Sequence, residues 1–305
     1  MLRKQQEFRA GLIEKHRYFE EMYEHHKHLF EYPRLIGDSP LKRIEIDRER
    51  VLFVFANDVR LCCDGRDAYS IPLSILNLSE FETEENSMIA ALVEPGDVVF
   101  DIGANIGWYT INLLLRRQGI DVYSFEPIEP SYKLLLQNLA LNGLAADHAY
   151  NIGFSDKAGT AKFYFDVECA TASSMANLRE DEKTVEVECA ITRLDDFVAA
   201  APGLKRLDFI KCDVEGAELF VYRGALEAIK RFRPIVFSEM LRKWSKKFGY
   251  HPNDIIGLFR GIDYECYVIN DGKIEKFGLV DEDTTQTNYL FFHKQRHAGM
   301  ITRLS

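Results

Sequence analysis

No apolar run in this sequence approaches the about 18 residues a membrane-spanning helix needs. Its first thirty residues, MLRKQQEFRAGLIEKHRYFEEMYEHHKHLF, lack the continuous apolar core of a secretory leader. The six cysteines, at 62, 63, 169, 189, 212 and 266, form no Cys-x-x-Cys pair and no zinc-site spacing. No Lys/Arg-rich block stands out either: 48 Asp and Glu outnumber 38 Lys and Arg, for a net charge of −10. These absences argue against a membrane span, a zinc module and a binder of nucleic-acid phosphates. The expectation is a soluble protein of a reducing, cytoplasmic compartment.

What is present suits a sizeable core. Hydrophobic residues make up 47% of the 305, enough for one large domain, or a domain with an appended segment. Over residues 1–31, Phe8, Leu12, Phe19, Met22, Tyr23 and Phe30 fall near helical spacing among many charges, which predicts an amphipathic helix that covers something, its own domain or a second copy. His25, His26 and His28 read as a solvated face, because no ligand at i+4 completes a metal set. Residues 43–78 alternate in short β-like segments, RIEIDRERVLFVF and VRLCCD, and predict a small β-hairpin region followed by an irregular link through Pro72. A helix is expected from Thr83 to near Val93, ahead of Pro95 and Gly96.

Beyond Asp97, strands and helices alternate. Strands are expected at 98–102, 121–126, 148–153, 207–213 and 234–239, and helices at 106–117, 130–141 and 216–231. Such alternation predicts a doubly wound, mostly parallel sheet with helices on both faces. Two further β-like runs, KFYFDV and TVEVECAI, lie in an insertion at 160–197, and YECYVIN with NYLFFHK is expected to finish the sheet as a last pair.

The loop DIGANIG (101–107) follows the first of these strands, where a doubly wound sheet binds its ligand. In a dinucleotide fingerprint the middle position is a glycine that lets backbone approach the pyrophosphate; here it is Asn105. Asp101 weighs more. At about 4 Å and an effective dielectric near 20, a carboxylate against a pyrophosphate costs roughly 4 kcal/mol, whereas the same group attracts ammonium or sulfonium. Glu126 ends the next strand, at the place of an acid that accepts from two ribose hydroxyls. Two acids flanking a glycine loop suit S-adenosyl-L-methionine (AdoMet) better than NAD.

Three further acids belong to the same edge. Asp213 ends the fourth strand, Glu215 follows two residues later, and Glu239 ends the fifth. Methyl transfer to a hydroxyl wants a base within hydrogen-bond reach, so these are candidate catalytic residues. Clustered oxygens also suit Mg²⁺, which would acidify the hydroxyl directly, and sequence leaves base and metal both open. Ser173 and Ser174, in the insertion, read equally as acceptor-binding hydroxyls or as a turn; Trp244 and His251, after the fifth strand, suit a lid, with packing the simpler role for Trp244, and His293 reads as structural.

Taken together, FETEENSMIAALVEPGDVVFDIGANIGWYT, VYSFEPIEPSYKLLLQNLALNG, NIGFSDKAGTAKFYF, ASSM, ITRLDDF, LDFIKCDVEGAELFVYRGA and RPIVFSEM make residues 80–240 resemble the FkbM-type family of AdoMet-dependent methyltransferases. Arg193 and Cys212 depart from the pattern without removing a charged group. The resemblance implies a Rossmann-like class I methyltransferase that methylates hydroxyls of sugars, glycans or natural-product small molecules. It also implies site roles. Asp101, Gly103, Asn105 and Gly107 would line the methionine and ribose of AdoMet, and Glu126 would hold the ribose diol. Phe154, Ser155 and Asp156 would flank adenine, Glu82 would reach the methionine ammonium, Asp213 would lie by the methyl, and Glu215 and Glu239 would face the acceptor. Residues 1–79 are then expected as a cap or oligomerisation segment, with a homodimer through the N-terminal helix, and 80–305 as the methyltransferase domain. The rival readings are an NAD-linked oxidoreductase, opposed by Asp101 and Asn105, and a non-catalytic AdoMet-binding scaffold.

Overall fold

The structure, a computed structural model, describes the whole chain except residues 167, 171–172, 178–183 and 202, so part of the 160–197 insertion, including Ala172 of the ASSM stretch, lies outside the described residues. At the N-terminus the expected single helix is broken. Gly11, at φ +71°, separates α1 (Leu2–Arg9) from α2 (Lys15–His26), and a 3₁₀ turn leads into α3 (Tyr32–Gly37). Phe8 stacks on Tyr18 at 4.5 Å, yet no residue of α1, α2 or α3 is buried. Leu2, Phe19 and Phe30 face outward.

The expected hairpin gains a strand: β1 (Leu41–Ile46), β2 (Val51–Phe55) and β3 (Arg60–Leu61) form an antiparallel sheet. The link expected to be irregular is instead a helix, α4 (Ile71–Leu78). Pro72 sits in its first turn, where a missing N–H breaks no helical bond, while Ile71, Ile75 and Leu76 turn into the core. Helix α5 (Thr83–Leu92) follows as expected.

The main sheet is built from β4 (Val98–Ile102), β5 (Asp121–Phe125), β6 (Ala149–Tyr150), β10 (Phe209–Cys212), β11 (Ile235–Glu239), β12 (Tyr264–Asn270), β13 (Lys273–Phe277) and β14 (Asn288–His293), in the order β13-β12-β14-β11-β10-β4-β5-β6. Strands β6, β5, β4, β10 and β11 run parallel, and β14 enters antiparallel between β11 and β12. That insertion departs from the 3-2-1-4-5-6 order of the dinucleotide sheet. The expected last pair is therefore present, with β13 added from the polar stretch between its two strands.

Helices α6 (Trp108–Arg116), α7 (Glu129–Leu141), α8 (Leu194–Ala200), α9 (Glu218–Arg223), α10 (Leu226–Phe232) and α12 (Pro252–Arg260) cover the sheet; α11 (Arg242–Ser245) and α13 (Ala298–Leu304) are short additions. The three central strands alternate apolar residues to two cores, as their period of two requires. Val99, Phe209 and Ile235 join one core with Ile111 of α6, and Phe100, Ile210 and Val236 join the other with Tyr222 of α9 and Ile229 of α10.

Two expected elements are split. The strand expected at 148–153 divides into β6 and β7 (Gly153–Phe154), and β7 belongs to a separate sheet with β9 (Thr184–Thr192) and β8 (Gly159–Asp166). The helix expected at 216–231 divides into α9 and α10 at Gly224. A Cβ there would lie 2.0 Å from the Ser155 carbonyl oxygen, and the Asp195 carboxylate caps the new helix by accepting from Glu227 and Ala228 backbone N–H groups.

Candidate active site

Strand order places the ends of β4, β5, β10 and β11 side by side. A cleft of about 320 Å³ opens there, and Glu82, Asn105, Glu126, Asp213, Glu215 and Glu239 all line it. Gly103 belongs to the same wall, and Asp101 is fully buried behind it. The loops after β4 and β10 meet at Gly103, which has φ +77°; a Cβ there would stand 1.8 Å from the Asp213 carbonyl oxygen. Only glycine permits that approach. Gly107, at the N-cap of α6, serves packing instead: its Cβ would press on Leu135 Cδ1 at 2.7 Å.

Three non-glycine residues of the cleft hold left-handed backbone: Glu82 (φ +45°), Asn105 (φ +49°) and Glu215 (φ +53°). For a glutamate this conformation costs of order 1 kcal/mol, and such strain gathers at functional sites. The Glu218 carboxylate stabilises the turn that holds Glu215, accepting from the Val214 and Gly216 backbone N–H groups and from the Tyr250 hydroxyl. Ser174 Oγ donates to the Glu215 carbonyl at 2.7 Å, which gives this serine a structural partner, while Ser173 lines the cleft.

Asp213, Glu215 and Glu239 each bring a carboxylate oxygen within 4.8 Å of the others, near enough to share a metal ion. Partly buried carboxylates so close together repel one another, and a proton or a cation among them relieves that repulsion. Burial, and next the Asp213 charge, hold Glu215 and Glu239 well above the usual carboxylate range. The same two causes push Glu82 to about 7, while its carboxylate accepts from the Tyr109 hydroxyl at 2.8 Å. Glu126 is also pushed to about 7 by burial, although the Asn105 and Ile128 backbone N–H groups bind its two oxygens at 3.0 and 2.9 Å.

One cation lines this cleft. Lys211, buried on β10, donates to the Gly103 carbonyl at 3.0 Å and to Asp213 at 3.2 Å, and its Nζ is 3.7 Å from Asp101. Burial alone would lower its pKa, but the Asp213 and Asp101 charges outweigh that, and it is held above the ordinary lysine value. Lys211 and Asp213 are two apart on one strand, hence on one face; that spacing in KCD is the signal by which sequence could have found the lysine. Tyr109 and Trp108, the first residues of α6, also line the cleft.

Not every expected residue arrives. Phe154, Ser155 and Asp156 do not line this cleft. The pairing of β7 with β9 turns Phe154 into an aromatic cluster with Phe125 and Phe197, where it borders a separate void of about 20 Å³. The Ser155 carbonyl packs on Gly224. Trp244 is likewise outside the lining and packs its Cβ against Gly216; His251 caps α12, and His293 is buried against Tyr264.

The raised acids have a consequence for stability. Glu82, Glu126 and Glu218, each held at about 7 and primarily by burial, bind protons in the folded state that the unfolded chain releases near 4.5. Between those values the folded state is the more protonated, so stability is fully present below about pH 4.5 as far as these groups are concerned and is lost as pH rises through about 7. Thermal unfolding without ligand is expected at a Tm about 5 °C or more lower at pH 8 than at pH 5.5, and a Tm that rises over this interval would contradict the burial of these acids.

The mostly parallel sheet, with β14 and the edge strand β13 running against the others, and an acid-lined cleft at its carboxyl ends define a Rossmann-like class I methyltransferase fold. The family model of the methyltransferase FkbM domain matches residues 101–266, more than half of the chain, and the protein belongs to that family. It is similar to Methyltransferase 1 of Beauveria bassiana (strain ARSEF 2860), with 27% identity over 144 residues covering 41% of this chain and 57% of that one. It is similar too to the 31-O-demethyl-FK506 methyltransferase FkbM of Streptomyces tacrolimicus, with 28% identity over 163 residues, 45% of this chain and 62% of the relative. The chain thus spans about three-fifths of the length of these curated relatives. Among solved structures, methyltransferase FkbM from Methylobacillus flagellatus KT aligns over 72% of this chain and 53% of its own, at 17% identity and a TM-score of 0.39. No helix among the described residues is long and apolar enough to cross a membrane.

Proposed function

We propose that the protein is an AdoMet-dependent O-methyltransferase acting on a hydroxyl of a small molecule or glycan. The observation that carries this reading is the lining of the cleft: Glu126 at the end of β5, and an acidic cluster at the ends of β10 and β11, on either side of a glycine loop. The donor set fits the cofactor. A carboxylate-rich wall attracts sulfonium and ammonium and repels a pyrophosphate, and the concave turn at Gly103 has no room for a side chain. Glu126 would hold the ribose diol, the 103–105 loop the methionine portion with Asp101 buried behind it and acting through Lys211, and Glu82 the ammonium. A name among the relatives, 31-O-demethyl-FK506 methyltransferase, supports oxygen as the atom methylated.

AdoMet, when bound, supplies a methyl group already activated on sulfur. What the chain adds is alignment, which is worth roughly 7–11 kcal/mol of such a barrier, and a proton acceptor. Asp213, Glu215 or Glu239 takes the hydroxyl proton as the new C–O bond forms. The same three oxygens could hold Mg²⁺ in place of that proton. Residues 80–305 would form the methyltransferase domain. Residues 1–79 would cap it, with Tyr69, Ile71 and Ser74 reaching the cleft, and would present the uncovered α1–α3 face to a second copy.

Glu126→Ala is expected to weaken S-adenosylhomocysteine binding by about tenfold to a hundredfold in isothermal titration, the value of hydrogen bonds to a charged group. Unchanged affinity would sink the ribose assignment.

A further inference from the structure

Resting on that reading, the charges of the cleft constrain the acceptor itself. Glu82, Asp213, Glu215 and Glu239 face the space beside the glycine loop, and Lys211 alone among the lining residues is cationic. Its ammonium is already engaged by the Gly103 carbonyl, Asp213 and Asp101. Of the basic segment after β11, Lys243 offsets this excess only weakly, through its charge on Glu215. Arg242 donates to the Glu282 carbonyl, Lys247 to the Asn177 carbonyl, Lys243 lies over the Trp244 ring 4.1 Å away, and none of them lines the cleft.

One carboxylate suffices as base, and Glu82 suffices for the ammonium of the cofactor. With a neutral acceptor the remaining acids must keep protons as water leaves, whereas an ammonium lets them ionise and pair with it. The Lys211 ammonium, 3.2 Å from Asp213, already supplies that carboxylate with a counter-charge. The remaining wall suits an organic cation. Tyr69, Phe81, Trp108 and Tyr109 line the same space with aromatic rings, which attract ammonium. Trp108, nine-tenths buried, has an Nε1–H with no hydrogen-bond partner among the described residues, a donor suited to an acceptor oxygen.

We propose that the acceptor is an amino-alcohol, such as an amino sugar, whose ammonium pairs with the Glu215–Glu239 side of the cluster while its neighbouring hydroxyl meets the methyl group. In the methylation, the hydroxyl oxygen forms the new bond to the methyl carbon, the carbon–sulfur bond breaks with its electron pair kept by sulfur, and the hydroxyl proton passes to a carboxylate. The ammonium is unchanged.

The test uses the full-length protein saturated with S-adenosylhomocysteine and probed with glucosamine, N-acetylglucosamine and glucose, and separately with MgCl₂, by titration calorimetry and ligand-observed NMR. Glucosamine is expected to bind at least about tenfold more tightly than the two neutral sugars, and Glu239→Gln, likewise saturated with S-adenosylhomocysteine, to lose that preference. Equal affinities, or no measurable glucosamine binding, overturn the proposal. Tight Mg²⁺ binding that glucosamine does not disturb also overturns it, by assigning the cluster to a metal. Failure of S-adenosylhomocysteine itself to bind refutes the methyltransferase reading and the present inference with it, and is seen before any sugar is added.

Discussion

Gly103→Ala is expected to lower S-adenosylhomocysteine affinity by on the order of a hundredfold and to destabilise the fold by about 2–4 kcal/mol. The added methyl would need the place of the Asp213 carbonyl oxygen, 1.8 Å from an ideal Cβ, and the neighbour that must yield is backbone, not the end of a flexible side chain. The residue is also at φ +77°, where alanine is strained whatever the space. Either the loop after β4 or the loop after β10 must move, and the first carries Asn105 while the second carries Asp213 and Glu215. Calorimetry and thermal unfolding of the variant measure both effects; near-wild-type values for both would mean that the two loops are not in contact.

Lys211→Met should cost about 3–5 kcal/mol of folding stability, the range for removing one partner of a buried ion pair. Methionine fills similar volume, so the loss reports charge and not packing. Asp101 has one oxygen satisfied by the Thr110 hydroxyl at 2.6 Å, while the other has no hydrogen bond and depends on the lysine 3.7 Å away. Adding Asp101→Asn should therefore restore part of the loss, a non-additivity expected of groups in direct contact. Denaturant titration of the two single variants and the double variant tests this, and strictly additive losses would contradict the pairing.

The parts of this site that sequence disclosed are those fixed by strand ends. Asp101, Glu126 and Glu239 close strands of a βαβ series, and alternation of strand and helix is enough to bring such ends to one edge. Asp213 and Glu215 follow by one and three residues from the end of β10 and share that placement. Lys211 is not legible in this way: a lysine inside an apolar strand reads as an exposed residue until its two carboxylate partners are placed, and one of them lies on the neighbouring strand in register with it. The roles expected for Phe154, Ser155 and Asp156 failed to match the cleft for a related reason. A run of β-like residues does not reveal which sheet it joins, and residues 148–154 serve two. The break at Gly224 and the helix at Pro72 were hidden in the same way: each depends on a tertiary contact, with Ser155 in one case and the apolar core in the other, that overrides local pattern.

The central claim is that the acid-lined cleft holds AdoMet, and isothermal titration of the wild-type protein with S-adenosylhomocysteine, with NADH as the comparison ligand, tests it most directly. The account predicts saturable binding of one S-adenosylhomocysteine per chain in the micromolar range and none of NADH. Binding of NADH with no response to S-adenosylhomocysteine would contradict it and return the glycine loop to a dinucleotide.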